Sequence, residues 1–219
     1  LSDINLLIER KSKIAFVGQN GQGKSTLAKI MVGELTPSSG NSKLGYNVQI
    51  GYFAQNQAEY LDGSKTVLQT MIDSANETNR SKVRDVLGSF LFKGDDVEKY
   101  VRVLSGGERN RLALAKLLLQ PFNVLVMDEP TNHLDIKSKS VLKQALVKFD
   151  GTLILVSHDR DFLQNLTNKV YEFKSQKIKE YLGDIDYYLN QRKIEDFREI
   201  EKKDKVISLK KNKNINNSK

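Results

Sequence analysis

The run GQNGQGKS, Gly18 to Ser25, restricts the fold of this chain more than any other stretch. It fills every defined position of the phosphate-loop pattern G-x-x-x-x-G-K-[ST]. Its flanks agree with that reading. The apolar run Ile14–Val17 has the character of a buried strand, and Ser25–Val32 carries Leu27, Ile30 and Met31 on one helical face. Strand, glycine-rich turn and helix in that order let the backbone wrap closely, so that N–H groups and a helix N-terminus meet negative charge. Lys24 is placed to reach the β- and γ-phosphates, and the Ser25 hydroxyl to reach Mg²⁺. An accidental glycine-rich turn would have no need of the terminal Gly-Lys-Ser.

A second stretch, VLVMDEP from Val124 to Pro130, is an apolar strand that ends in two adjacent carboxylates. Phosphoryl transfer uses both: Asp128 can hold the Mg²⁺ shell while Glu129 polarises the attacking water, and successive residues at a strand end point in different directions. In a third, LSGGERNRLALAKLL from Leu104 to Leu118, Ser105, Gly106 and Gly107 sit just before a strong helix. There a hydroxyl and several free N–H groups can meet an anion. The same letters fit an ordinary helix start, with Ser105 as N-cap and Glu108 closing a capping box, and the segment alone leaves both readings open. His158 follows the strand Leu153–Val156 directly, where parallel-sheet proteins place ligand-facing groups. His133, in TNHLD, reads as a structural loop residue.

The rest of the chain alternates strand and helix. Ile4, Leu6 and Ile8 form a strand-like segment, Pro37-Ser-Ser-Gly40 marks a turn, and Val48–Phe53 reads as another strand. Residues 66–92 repeat Val67, Leu68, Met71 and Ile72, then Val83, Val86, Leu87 and Phe90, at spacings of three and four. That is a helical pattern, and it predicts a small helical subdomain at about 64–118. Arg109–Leu119 and Lys139–Phe149 read as helices, Val124–Met127 and Leu153–Val156 as buried strands. Lys169–Phe173 and Lys177–Leu182 look like a hairpin, and Asp184 caps a final helix running through Tyr188 and Phe197. Apolar strands separated by helices predict an α/β fold with a mainly parallel central sheet and an antiparallel β portion. The expected boundaries are a nucleotide-binding domain at 1–183, a C-terminal helix at 184–205 and a basic tail at 206–219.

Composition narrows the class. With no cysteine, disulfides and thiolate metal sites are excluded, which fits the reducing cytosol. No apolar run approaches the roughly 20 residues needed to cross a bilayer, so direct membrane insertion is not expected. The net charge of +8 is uneven: residues 202–219 hold seven lysines and one aspartate, leaving the body nearly neutral. Such a Lys/Asn end reads as solvated chain, with attraction to RNA phosphates as the alternative. A start at Leu1, inside a strand-like segment, points to a piece of a longer chain.

Taken together, GQNGQGKS, Gln55 after VQIGYFAQ, LSGGE, VLVMDEP, the Leu134-Asp135 pair and His158 in VSHDRDF resemble, in order and spacing, an ATP-binding cassette (ABC) domain. The resemblance covers residues 1 to about 190. It implies a P-loop hydrolase fold of the ABC type that binds and hydrolyses ATP with Mg²⁺. The nucleotide-binding set it implies is Gly18, Asn20, Gly21, Gly23, Lys24, Ser25 and Thr26. Mg²⁺ would be held by Ser25, Gln55 and Asp128, while Glu129, His158 and Gln55 would serve hydrolysis, His158 at the γ-phosphate. Such cassettes pair head to tail, each ATP lying between the phosphate loop of one and the LSGGE segment of the other. Ser105, Gly106, Gly107 and Glu108 would therefore act on a partner's ATP, and Asp135 would couple the two sites. The second cassette would be the upstream half of a parent chain or another copy. Cassettes usually stack adenine on an aromatic residue upstream of the phosphate loop. The sequence starts too late to include that residue, so affinity is expected to rest on the triphosphate contacts.

The wording DEPTNHLDI, SHDRDFL and YLGDIDYYLNQR is similar to the ABC-F branch, soluble proteins with two cassettes on one chain that typically act on ribosomes during translation. Glu108 after SGG resembles their second cassette. The expectation is the C-terminal half of a cytoplasmic translation factor, with ribosome or rRNA as partner. The alternative is the ATP-binding subunit of a membrane ABC transporter, which would need a groove for a membrane partner's helix beside Gln55 and residues 66–92. A catalytically silent module is argued against by the intact Lys24, Ser25, Asp128, Glu129 and His158.

Overall fold

In chain order the elements of the computed structural model are β1 (Lys13–Val17), α1 (Lys24–Met31), β2 (Ile50–Phe53), α2 (Val67–Ser74), α3 (Val83–Ser89), α4 (Gly106–Leu118), β3 (Val124–Asp128), α5 (Ile136–Lys148), β4 (Thr152–Val156), α6 (Arg160–Leu163), β5 (Lys169–Lys174), β6 (Lys177–Tyr181) and α7 (residues 185–195). The described residues are 1–54, 57–132 and 134–195. Gln55, His133, Phe197 and the basic tail lie outside them.

The strands form one sheet in the order β2-β3-β4-β1-β5-β6, parallel throughout except for the β5–β6 hairpin. Alternation along the strands buries both faces. Ile14, Phe16, Val126, Ile154 and Val156 pack with Leu27 and Ala28 of α1 on one side. Ala15, Val17, Leu125, Met127, Leu153 and Leu155 pack on the other, against Leu112 and Leu114 of α4 and Leu142 and Leu146 of α5. A sheet covered on both faces needs apolar residues at nearly every strand position, which is how these strands read.

Register decides what the sheet presents. Phe16 pairs with Val156 and Val156 with Asp128, so β4 and β3 end level and β1 ends one residue beyond them. Gly18, Glu129 and, after Ser157, His158 therefore emerge side by side at the carboxyl end of the sheet, where α/β proteins bind ligands.

Three expectations are corrected. Ile4, Leu6 and Ile8 are partly buried against the α1-side core, yet residues 4–8 form no strand. Their alternation reports one-sided burial without a ladder partner. The helical pattern of 66–92 is interrupted between α2 and α3. Asn79 Oδ1 accepts the Asn76 N–H at 2.8 Å and Asn79 Nδ2 donates to the Leu119 carbonyl at 2.7 Å. Side-chain bonds of this kind compete with helix. Pairing of β2 begins only at Ile50, opposite Val124, because Gln49 bonds both ways with Asn123 instead.

At the far side of the sheet a buried carboxylate fastens α7. Glu172 of β5 accepts from the Tyr181 hydroxyl at 3.0 Å and the Tyr188 hydroxyl at 3.2 Å, and pairs with Arg192 Nε at 3.2 Å. Asp184 caps the same helix by accepting the Tyr187 N–H at 2.8 Å. Beside β5, β6 carries exposed Lys177, Lys179 and Glu180.

Phe16 is fully buried between Phe173, ring centroids 5.0 Å apart, and Tyr171 at 6.0 Å. Phe16→Ala is expected to lower unfolding free energy by about 3–5 kcal/mol. Urea denaturation with an unchanged m-value checks this; a loss below about 1 kcal/mol would mean that the layer refills the space.

Candidate functional site

Glycines at positive φ shape the phosphate loop, at Gly18, Gly21 and Gly23. At Gly18, φ is +141° and a Cβ would stand 2.4 Å from the Phe173 carbonyl oxygen of neighbouring β5, so no side chain fits. Gly23, φ +90°, turns the chain into α1 from the left-handed region. Lys24, the first residue of that helix, is only 6% exposed, and its Nζ donates to the Gly18 carbonyl at 2.7 Å and the Gln19 carbonyl at 3.0 Å. The cation thus folds back over its own loop.

Asn20, Gly21, Gly23, Lys24, Ser25 and Thr26 line a cleft of about 490 Å³ together with Asp128, Glu129, Asn132, Val156 and His158. Asp128 closes β3 and is 4% exposed. Glu129 leaves the strand with φ +49°, an unfavourable conformation for a side-chain-bearing residue that costs about 1–3 kcal/mol. Its N–H is pinned by the Val156 carbonyl of β4 at 2.8 Å. The strain turns Glu129 away from the strand direction and toward the cleft.

Burial raises the Glu129 carboxyl above the usual glutamate range, and the nearby Asp128 charge adds to this, against the His158 backbone N–H and Lys24. Its Oε1 is buried without a hydrogen bond among the described residues. His158 Nε2 lies 3.5 Å from that oxygen, too far for a strong bond. Burial, and then Lys24, holds the imidazole below its ordinary value, so it is neutral near pH 7 and the contact is no ion pair. Lys24 is likewise lowered by burial, opposed by Glu129 and Asp128. The result is a half-buried carboxylate acceptor, a neutral imidazole and one confined cation at a single opening. Phosphate oxygens can displace the loop carbonyls from Lys24, and a water held by Glu129 can be polarised there.

The residues also fit a hard cation. Among the described residues no group of three or more His, Asp or Glu could hold a metal unaided. One hydroxyl, Ser25, and one carboxylate, Asp128, are the partial set that Mg²⁺ takes when substrate phosphates complete its shell.

The LSGGE segment stands apart from the cleft. Ser105 Oγ accepts the Glu108 N–H at 3.3 Å and Glu108 Oε2 accepts the Ser105 N–H at 2.7 Å, so the capping box is formed. Ser105 and Gly106 are exposed. The Ser105 side chain is engaged with Glu108 inside the box while remaining open to solvent. Asp135 is also outside the cleft and caps α5 through the Ser138 N–H at 2.8 Å.

Two cleft neighbours were not legible as such. Asn132 lines the opening from the loop after Pro130, where its short distance from Glu129 was the available signal. Tyr52 of β2 has a buried hydroxyl without a hydrogen bond among the described residues, pushed up to about 12 by burial, Asp128 and Glu34.

Residues 1–132 match the ABC transporter family. The chain is 49% identical over 192 residues to the ATP-binding protein YdiF of Bacillus subtilis, covering 88% of this chain and 30% of that protein. It is 45% identical over 199 residues to ABC transporter F family member 5 of Arabidopsis thaliana, covering 90% and 29%. A third relative, the ATP-binding protein YheS of Haemophilus influenzae, is 45% identical over 188 residues, covering 86% and 30%. The chain spans about three tenths of the length of these relatives. Among solved structures, a dimeric ATP-binding cassette in a post-hydrolysis state, bound to ADP and Pi, superposes with a TM-score of 0.69 over 83% of this chain and 90% of that one. At 22% identity that likeness shows the fold. No helix among the described residues is long and apolar enough to cross a membrane.

Lys24→Ala is expected to weaken binding of a fluorescent ATP analogue about ten- to a hundredfold, the loss of one or two charge-assisted bonds. Unchanged affinity in a folded variant would take the cleft out of nucleotide binding. The raised Glu129 carboxyl is expected to place the acid limb of ATP turnover above the ordinary glutamate value of about 4.3, because the base works only when deprotonated. A pH–rate profile that stays flat down to that value would show that Glu129 is not the titrating base.

Proposed function

The chain belongs to the ABC transporter family of ATP-binding domains, and from that premise we propose that this ATPase works in a head-to-tail pair with a second cassette, as part of an ABC-F factor acting on the ribosome. The observation that carries the catalytic reading is the buried Glu129 oxygen, without a hydrogen bond among the described residues, at the phosphate-loop cleft beside His158.

In this reading the triphosphate lies along Gly18 to Thr26, with the backbone N–H groups and Lys24 taking its charge. Mg²⁺, when bound, would neutralise phosphate charge. Ser25 and Asp128 would hold it; Gln55, outside the described residues, is assigned there by resemblance. Glu129 accepts a hydrogen bond from the attacking water and draws off its proton, and the neutral His158 donates to a γ-phosphate oxygen. Ser105 offers its O–H, and Gly106 and Gly107 their N–H groups, to the partner's ATP, while Glu108 keeps the helix start in shape.

Pairing is supported by what the chain leaves in water. Val103, just before Ser105, is 65% exposed and Ile136, just after Asp135, is 86% exposed. These apolar side chains flank the two segments assigned to the partner's site. The solved cassette of the same fold is dimeric. The ribosomal assignment rests on the ABC-F resemblance and on relatives that include a named F-family member.

Glu129→Gln preserves size and removes the carboxylate. Turnover is expected to fall about 10²–10⁴-fold with ATP affinity nearly unchanged, and the ATP-bound pair to accumulate on size-exclusion chromatography. The same change in the full-length parent is expected to hold it on ribosomes in gradient sedimentation with ATP. Near-normal hydrolysis would remove Glu129 from the mechanism, and a trapped pair that never cosediments would overturn the ribosomal assignment.

A further inference from the structure

Two lysines one turn apart on α5 reach the segment that carries His158. Lys139 Nζ pairs with Asp159 Oδ2 at 2.6 Å, and Lys143 Nζ donates to the Asp161 carbonyl at 2.5 Å. Residues four apart lie on one helix face, so both contacts come from the same side of α5. Leu142 and Leu146 of that helix are buried in the core that also holds Leu125 and Met127 of β3. The lysines therefore tie the segment after β4 to the same packing that carries Glu129 at the end of β3.

Asp159 is the centre of the tied segment. Its Oδ1 accepts the Phe162 N–H at 3.0 Å and caps α6, while its own N–H donates to Ser157 Oγ at 3.1 Å. Ser157 is 1% exposed. His158 stands between these two anchored neighbours, with its side chain 46% exposed and Nε2 3.5 Å from Glu129 Oε1. At that distance no strong bond to Glu129 holds the imidazole, and its place depends on the loop. Burial raises the Glu129 carboxyl, and the His158 backbone N–H is the largest influence opposing it. The loop thus sets two groups of His158 against one carboxylate.

The Lys139 ammonium is 38% exposed and the Asp159 carboxylate 21% exposed, and a pair so open to water adds little to stability. The cap of α6 is made by the other carboxylate oxygen and stands without the lysine. What Lys139 adds is a fixed distance between α5 and the His158 loop. We propose that Lys139 and Asp159 are positioning residues for hydrolysis, whose ion pair holds the imidazole and the backbone N–H of His158 on Glu129 of the same chain. This rests on the reading that Glu129 and His158 serve hydrolysis.

The test compares three variants of this chain. Asp159→Asn keeps an oxygen for the cap and loses the charge, Lys139→Met keeps the apolar stem and loses the cation, and Lys139→Arg supplies a cation again. Affinity for a fluorescent ATP analogue, KM and kcat for ATP are measured, together with the His158 ring resonance of the nucleotide-free chain. The chain has two histidines, and His158→Ala identifies which resonance is which. Asp159→Asn and Lys139→Met are each expected to lower kcat about five- to fiftyfold, with KM and analogue affinity within about twofold, and to shift or broaden the His158 resonance. Lys139→Arg is expected to recover at least about half of the wild-type kcat, and the double variant Asp159→Asn/Lys139→Met to be no slower than the slower single one. Wild-type kcat in both charge-removing variants, an unmoved His158 resonance, or a loss that Lys139→Arg does not recover overturns the proposal. A matching loss of analogue affinity also overturns it, by placing the pair in nucleotide binding. Should Asp159→Asn not fold, Lys139→Met and Lys139→Arg decide alone. Turnover retained by His158→Ala and Glu129→Gln overturns the reading of the site itself; turnover lost in those two but kept in the pair variants overturns only the positioning role.

Discussion

The hydrogen-bonded register of β3, β4 and β1 is the constraint from which the site follows. Parallel strands whose ends agree to within one residue release their loops at nearly one height, and here those loops begin with Glu129, with Ser157-His158 and with Gly18. The bond from the Glu129 N–H to the Val156 carbonyl extends the β3–β4 ladder one step past the strand, through a residue whose φ is already unfavourable. A slip of one residue in either ladder would turn apolar faces to water and separate the carboxylate from the phosphate loop together. Core packing and site geometry are thus one requirement, met by the same alternating side chains.

Electrostatics at the cleft follow from burial more than from pairing. Glu129 is raised, while Lys24 and His158 are lowered, each with desolvation as the leading cause. Every group is therefore biased toward its neutral form, although opposite charges stand nearby. Such a site gains when a polyanion arrives, because phosphate oxygens give Lys24 a charged partner in place of two carbonyls.

Contiguous chemistry was legible in the sequence, and chemistry assembled across the chain was not. The phosphate loop, the Asp128-Glu129 strand end and His158 each announce themselves within a few residues, and the elements carrying them fall close to where periodicity puts them. Alternation at Ile4, Leu6 and Ile8 misled because a period of two records which side is buried, without recording hydrogen bonds. The break between α2 and α3 was written in Asn76 and Asn79, whose side chains outcompete a helix, but apolar spacing alone reads through them. Lys139 and Lys143 look like solvated polar faces of a helix until the fold sets them against residues 20 and 18 positions away. The Ser105–Glu108 capping box leaves Ser105 and Gly106 exposed, so the bland reading and the functional one are compatible.

The exposed lysines and glutamate of β6 have a consequence for how copies of this molecule meet. A sheet with apolar strands throughout its interior is an aggregation hazard if an open edge accepts another chain's strand. At one edge β6 sets Lys177, Lys179 and Glu180 in water, so an incoming strand would have to desolvate charge to add there. At the other, β2 is only four residues long and includes Gly51, too short and too weak a template for strand addition. With both edges blunted, the sheet is discouraged from growing into a fibril, and encounters between copies are left to the loops and helix starts.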